Sequence, residues 1–327
     1  MFRLTLIFAV VVGILLTAIP SMLWLICWIA GKFFHLSIGY APFGWSAVGL
    51  VTLAWLTLLY GFLVGRFQLE IQRSDFTHEE ITAAMDGYKI VHISDLHLST
   101  FDDRPHALQR FVDSVNAQKP DLICFTGDLV TIGVKEAEPY TEILRQLEAT
   151  DGVISVLGNH DFLIYRRNFA SDDERHQEVE HLTQYEREVL GWHLLRNEHL
   201  VLPNHLTIVG VDNSSGSEDG FHTICAADLP KALSGTSAPR IVLTHDPTHW
   251  RHEIIGHDVF LTLSGHTHSG QVRFFGRPLS GISFKESAGW VHEGKQFLYI
   301  NSGLGCTLPI RLNCPAEITV ITLHSQH

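Results

Sequence analysis

The sequence predicts an α/β fold with a membrane segment ahead of it, and three observations carry that expectation. Two long apolar runs without charge come first, extended and helical segments then alternate, and acidic or amide residues recur just past the extended ones. The runs cover residues 4–31 and 41–65, and neither contains Asp, Glu, Lys or Arg. At about 1.5 Å per helical residue, each exceeds the roughly 30 Å of a hydrocarbon core. Two transmembrane helices within residues 1–66 are therefore expected. A signal peptide is the competing reading of the first run, but the apolar part of a signal is shorter and no A-x-A-like site follows here. Pro20 lies inside the first run, a position that membrane helices accept.

Two spans return the chain to the side on which it began. Arg3 precedes the first, Lys32 lies between them, and Arg66 and Arg73 follow the second. Basic residues near span ends stay cytoplasmic, so the expected arrangement is a multi-pass protein of the inner (cell) membrane with its large domain in the cytoplasm. Cys27, Cys124, Cys225, Cys306 and Cys314 are odd in number and form no C-x-x-C pair, so free thiols are expected. A net charge of -12 argues against nucleic acid as a partner, because that needs a basic surface.

Residues 67–87 read as a linker that becomes polar. After it, residues 88–93, 122–125 and 153–157 read as extended, with helices over 105–117 and 136–149 between them. That alternation is the pattern of βαβ units. Asp95, Asp128 and Asn159 each fall just past an extended segment, at intervals of 33 and 31 residues. One βαβ unit takes about 30 residues, so these side chains should line one edge of a sheet, where ligands of such folds bind. Residues 171–190 read as an exposed helix with Ser171 as its N-cap and Glu174 completing a capping box. Strands are expected at 206–211, 241–244, 259–264, 271–274, 297–301 and 318–323, in a second half that looks more antiparallel. Residues 212–220, rich in Ser, Gly and acids, should loop out.

Five motifs run through this α/β part: Asp95-Leu96-His97, Gly127-Asp128, Gly158-Asn159-His160-Asp161, His245, and Gly265-His266-Thr267-His268. Carboxylates neutralise a divalent cation and imidazoles suit Mn, Fe or Zn, so the mixture points to metal. Asp95 and His97 are two residues apart, which on an extended segment turns both the same way, and His266 and His268 repeat the spacing. The competing reading, polar residues that only cap strands, does not call for repeated Asp and His. Other histidines, His92 and His249 among them, are expected to be surface or hydrogen-bonded residues. Arg311 follows a Gly-rich stretch and could hold phosphate oxygens in bidentate fashion, or form a surface ion pair instead.

In their order these motifs resemble the calcineurin-like metallophosphoesterases. Residues 264–272, SGHTHSGQV, and 301–318, NSGLGCTLPIRLNCPAEI, look like the membrane-attached bacterial branch with YkuE- and YaeI-like members, and the resemblance covers residues 88–323. Ser269 is a departure, since many members have Gly there. The resemblance implies a four-layer α/β/β/α sandwich over residues 88–327 and two divalent ions. It implies Asp95, His97, Asp128 and His268 as ligands of one ion and Asp128, Asn159, His245 and His266 as ligands of the other. By the same resemblance, His160 faces the substrate and assists the leaving oxygen, with Asp161 orienting its ring. The implied reaction is attack of a metal-bridged hydroxide on the phosphorus of a phosphodiester or pyrophosphate. With the membrane anchor, a lipid-linked substrate such as UDP-diacylglucosamine, which some relatives cleave, is the favoured expectation. The alternatives are a non-catalytic metal-binding scaffold and a receptor on the same fold. No motif matches residues 166–184.

Overall fold

The computed structural model describes residues 2–102, 104–166, 169–213 and 226–326. Two helices come first, α1 (Phe2–Phe33) and α2 (Ala41–Leu63), and α1 continues through Pro20. Residues 9–33 and 41–67 have mean hydropathies of 2.4 and 2.1, and both helices are long and apolar enough to cross a membrane. Ile14, Leu23 and Leu53 point outward and not into a core, as side chains facing hydrocarbon do. Chain contacts divide the molecule into two compact units, Met1–Arg66 with Leu308–Leu312, and Phe67–Thr307 with Asn313–His327.

The second unit holds two six-stranded sheets. Five strands come first: β1 (Leu69–His78), β2 (Lys89–Ile93), β3 (Leu122–Phe125), β4 (Val153–Ser155) and β5 (His193–Leu194). They are followed by β6 (Glu198–Val201), β7 (Thr207–Gly210), β8 (Arg240–Leu243) and β9 (Leu261–Ser264). The short hairpin β10 (Arg273–Phe274) and β11 (Arg277–Pro278) precedes β12 (Gly289–Glu293), β13 (Gln296–Ile300) and β14 (Ala316–Ser325). The first sheet has the order β1-β14-β2-β3-β4-β5 and the second β12-β13-β9-β8-β7-β6. The run β2 to β5 is parallel, and so is β13-β9-β8-β7.

Alternation along each strand sorts the core. Ile90, Leu122 and Cys124 join Ile208, Ile241, Leu243, Leu261 and Leu263 in one apolar cluster shared by the two sheets. Val91, Ile93, Ile123 and Phe125 face the other way, onto Leu108, Phe111 and Val112 of helix α3 (Pro105–Asn116). Val209, Val242 and Ile300 turn outward from the second sheet onto Trp250 and Ile254. Strands apolar on both faces are what parallel sheets with both sides covered require.

Four expectations are corrected. Residues 67–87 are not a linker: β1 pairs in parallel with β14 from Leu69↔Ala316 to His78↔Ser325. Polar residues alternate through β1 because it is an edge strand with one open side. The helix expected over 136–149 shrinks to α4 (Thr141–Leu144) after two 3-10 turns, because Pro139 has no amide to continue a helix from upstream. The second sheet is parallel in its middle, with antiparallel pairs only at its edges (β12 with β13, β6 with β7). The long helix ends early as a regular one: α5 (Asp172–Gln184) passes into a wider π-turn over Tyr185–Leu190, closed by Gly191 at φ 74. Ser171 Oγ does accept from the Glu174 amide at 3.2 Å, while the Glu174 carboxylate reaches back to the Ala170 amide at 2.6 Å. Among the described residues Cys27, Cys124, Cys306 and Cys314 form no disulfide; Cys225 and most of the loop expected over 212–220 lie outside the described residues.

Candidate metal centre

Every motif residue lies on a turn that leaves the C-terminal end of a parallel strand. Asp95 and His97 follow β2, Asp128 follows β3, and Asn159 and His160 follow β4; His245 follows β8, and His266 and His268 follow β9. The two sheets therefore contribute to one rim. Asp95, His97, Asp128, His266 and His268 have φ of 52, 39, 59, 69 and 48°, in the left-handed region that L-residues avoid. Such backbone costs roughly 1–3 kcal/mol per residue and persists where the surroundings over-determine it, characteristically at functional sites. Ser269, at φ 53, shares it, which explains why glycine suits that position; its hydroxyl lies 2.8 Å from that of Ser302.

Two glycines allow the turns to meet. A Cβ on Gly158 would run into the Asp128 carboxylate, and one on Gly265 into the Ser94 hydroxyl and the Asp95 carboxylate. In their place the backbone amides of His160 and His266 donate to Asp128 Oδ1 at 2.8 Å and to Asp95 Oδ2 at 3.0 Å. Each carboxylate thus has one oxygen fixed by an amide and the other turned to the imidazoles.

Three sets of side chains converge closely enough to hold a cation: Asp95 with His97 and His268, His97 with Asp128 and His160, and Asp95 with Asp128 and His245. Asp95 Oδ1 is 3.2 Å from His268 Nε2 and 3.9 Å from His97 Nε2, and those two nitrogens are 3.1 Å apart. Asp128 Oδ2 lies between His97 Nε2 at 3.4 Å and His245 Nε2 at 3.2 Å. Beyond it, Asn159 Oδ1 is 2.9 Å from both His245 Nε2 and His266 Nδ1, and those nitrogens are 3.2 Å apart. All seven expected ligands are therefore neighbours, with Asp128 central. Asp95 Oδ1 is fully buried without a hydrogen-bond partner, a costly state for a carboxylate oxygen that a cation would relieve. The donor set fits two divalent ions.

The electrostatics reflect the crowding. Burial, with the Asp128 charge, pushes Asp95 up to about 6. Burial acts on Asp128 in the same sense, but the charges of His245, His160 and His97 together hold it well below the usual carboxylate range. His266 is lowered, chiefly by burial. The His245 ring is locked by Nδ1–H donating to the Thr126 carbonyl at 2.7 Å, so Nε2 is the nitrogen that faces the site.

His160 is half-buried, edge-on to the His97 ring at 4.7 Å and 4.5 Å from the ring of Tyr165. Its Nδ1 faces the Thr131 carbonyl at 3.0 Å, which fixes Nδ1 as the protonated nitrogen. This corrects the role expected of Asp161. Its carboxylate accepts from the backbone amides of Asp128 (2.6 Å), Gly158 (2.9 Å) and Val130 (3.1 Å), and so ties two ligand turns together instead of orienting the His160 ring. Burial and the nearby Asp128 charge push it up to about 7. Arg311, expected to hold phosphate, lies on the segment Leu308–Leu312. Its side chain is fully buried, its amide donates to Gly61 O at 3.3 Å, and its segment belongs to the helical unit. Thr126, Thr131 and Tyr165 are site residues that the motifs did not single out; only their closeness in sequence to Asp128 and His160 pointed to them.

Two largely parallel sheets thus bring seven candidate ligands to one rim, in clusters that could hold a metal ion. Residues 88–270 match the family model for calcineurin-like phosphoesterases, more than half of the chain, and the chain belongs to that family, whose members use divalent metals. It is 29% identical over 242 residues to an uncharacterized metallophosphoesterase of Aquifex aeolicus, covering 72% of this chain and 84% of that one. It is 29% identical over 245 residues to the phosphodiesterase YaeI of Escherichia coli, covering 72% and 82%. It is also 26% identical over 303 residues to a transmembrane protein with metallophosphoesterase domain from Danio rerio, covering 88% of this chain and 64% of that one.

Proposed function

We propose that the chain is a membrane-anchored phosphodiesterase or pyrophosphatase that works with two divalent ions, Mn, Fe or Zn. The observation that carries this reading is Asp128 Oδ2 set between His97 and His245, the place of a carboxylate shared by two metals. Asp95, His97, Asp128 and His268 hold one ion, and Asp128, Asn159, His245 and His266 the other. When bound, such a pair supplies charge neutralisation for the phosphoryl group and a water of lowered pKa. The protein's own residues do the rest. Asp161 holds the Asp128 and Gly158 turns in register, and Asn159 adds a ligand without adding charge. His160, with Nδ1–H held by Thr131, presents Nε2 to the substrate and, as the doubly protonated imidazolium, passes its Nε2 proton to the departing oxygen.

The anchor favours a lipid-linked phosphodiester or pyrophosphate, for which UDP-diacylglucosamine is the test compound, and the basic residues around the two helices favour a cytoplasmic site at the inner membrane. The metal-loaded full chain is assayed on bis-nitrophenyl phosphate beside the nucleotide-lipid. Turnover of neither, with both metals in place, would leave a binding scaffold or receptor as the better reading. Turnover of the generic diester alone removes the lipid substrate. A C-terminal reporter active only outside the cytoplasm reverses the orientation.

A further inference from the structure

The metal-binding turn after β9 continues into a strap, residues 272–285, that the reaction above does not use. The β10–β11 hairpin turns on Phe275 at φ 48 and Gly276 at φ 78, a pair of left-handed residues of the kind tight hairpins need. A 3-10 turn, Leu279–Ile282, follows. The apolar side chains of this strap face solvent: Phe275 is 92% exposed, Ile282 83%, Phe274 70% and Leu279 48%. Single exposed apolar residues are ordinary, but four close together mark a contact surface. The same stretch carries Arg273, Arg277 and Lys285 and no Asp or Glu, in a chain of net charge -12. Arg277 and Lys285 are exposed.

The base of the strap is fixed to the site. The Leu279 amide donates to Val272 O at 2.9 Å, and Thr267 Oγ1, between two metal ligands, donates to Ser287 O at 2.7 Å. The Phe284 ring meets His266 edge-on at 5.6 Å. The strap is thus tied at its base to the rim that carries His266 and His268.

Apolar side chains with basic neighbours match the interfacial zone of an anionic bilayer, where rings enter among the headgroups and cations meet the lipid phosphates. A bilayer is within reach of this unit, since only residues 64–68 separate α2 from β1. We propose that the 272–285 strap inserts Phe274, Phe275, Leu279 and Ile282 into the surface of the anionic membrane that α1 and α2 enter, with Arg277 and Lys285 on its headgroup phosphates. This rests on α1 and α2 being membrane spans and not on the identity of the phosphoester.

The test uses the full chain in nanodiscs of mixed phosphatidylglycerol and phosphatidylcholine, with a spin label at Ile282→Cys and a control label at the exposed Lys231→Cys. The signal of the native cysteines is subtracted from the unsubstituted chain. Collisions with oxygen and with a polar nickel chelate are compared. The tip label should favour oxygen several-fold over the control, and Arg277→Glu with Lys285→Glu, or pure phosphatidylcholine discs, should return it towards water. A tip label as open to nickel as the control overturns the proposal. So does a label shielded from both relaxants, which marks a protein partner or a second copy. A chain that does not enter the discs overturns the span reading together with this one. Loss of diester turnover with an immersed tip counts against the proposed activity alone.

Discussion

The two halves of the proposed metal centre use the same turns and side-chain types yet differ in charge. Asp95, His97 and His268 form a half with a carboxylate of its own, and both imidazoles enter it through Nε2. Asn159, His245 and His266 form a half whose only private oxygen is a neutral amide, and His266 enters through Nδ1. Asp128 serves both. Behind the second half stands Asp246, whose Oδ2 is 3.8 Å from His266 Nε2. The first half can neutralise an ion by direct contact, whereas the second depends on the shared Asp128 and on a carboxylate one imidazole away. The second ion should therefore be the more easily exchanged.

The largest effect should come from the residue common to both halves. Asp128→Ala is expected to take bound metal from two ions per chain towards none and to lower diester turnover by at least about 10³-fold, the upper scale for losing one preorganised electrostatic group. Metal analysis and turnover on the same sample check it. One tightly held ion in that variant would show that the halves are independent.

His160→Gln separates chemistry from binding. Its Nδ1 is held by Thr131 and its proposed role is that of a proton donor and not a ligand, so both ions should remain while turnover falls by about 10²–10⁴-fold, the range for a general acid. Loss of a metal in that variant would make His160 a ligand.

How much of this was legible in the sequence depends on how local the cause was. The convergence of the seven candidate ligands could be read because each follows an apolar strand, and strand order then brings them to one rim. The partners of the second tier could not. Asp161 stands beside His160 in the sequence, yet its oxygens are taken by amides of the β3 turn, a contact set by how two loops pack. Thr131 reaches His160 through a carbonyl, a group every residue has, so its type gave no signal. The burial of Arg311, offered as a phosphate-holding residue or a surface ion pair, was not legible, because burial is a tertiary property. In the fold, β1 was hidden by the polar alternation of an edge strand, and Pro139 alone broke a helix that the pattern otherwise allowed.

Asp246→Asn is a smaller and more selective change. It removes the charge behind His266 while keeping the side chain's shape, and outer partners of this kind are typically worth 10–100-fold in metal affinity. Titration with a chelator should show one ion weakened and the other unchanged. Equal weakening of both would erase the distinction between the halves.

The smallest effect should appear only when metal is absent. Burial alone lowers the His245 imidazole, but Asp128 at 3.2 Å, by charge and hydrogen bond, and Asp95 beyond it carry it up to about 10. Its unfolded value is about 6.5. A base whose folded value is raised binds its proton more tightly when folded, so its contribution to stability is complete below pH 6.5 and is lost as pH rises through about 10. Chelator-treated protein should therefore lose stability in urea melts between pH 7 and pH 10, roughly the window between those values. The metal-loaded protein should not follow that curve, because a cation at Nε2 replaces the proton. Parallel curves for the two forms would mean that His245 holds no ion, and the second half would then lose the ligand that joins it to Asp128.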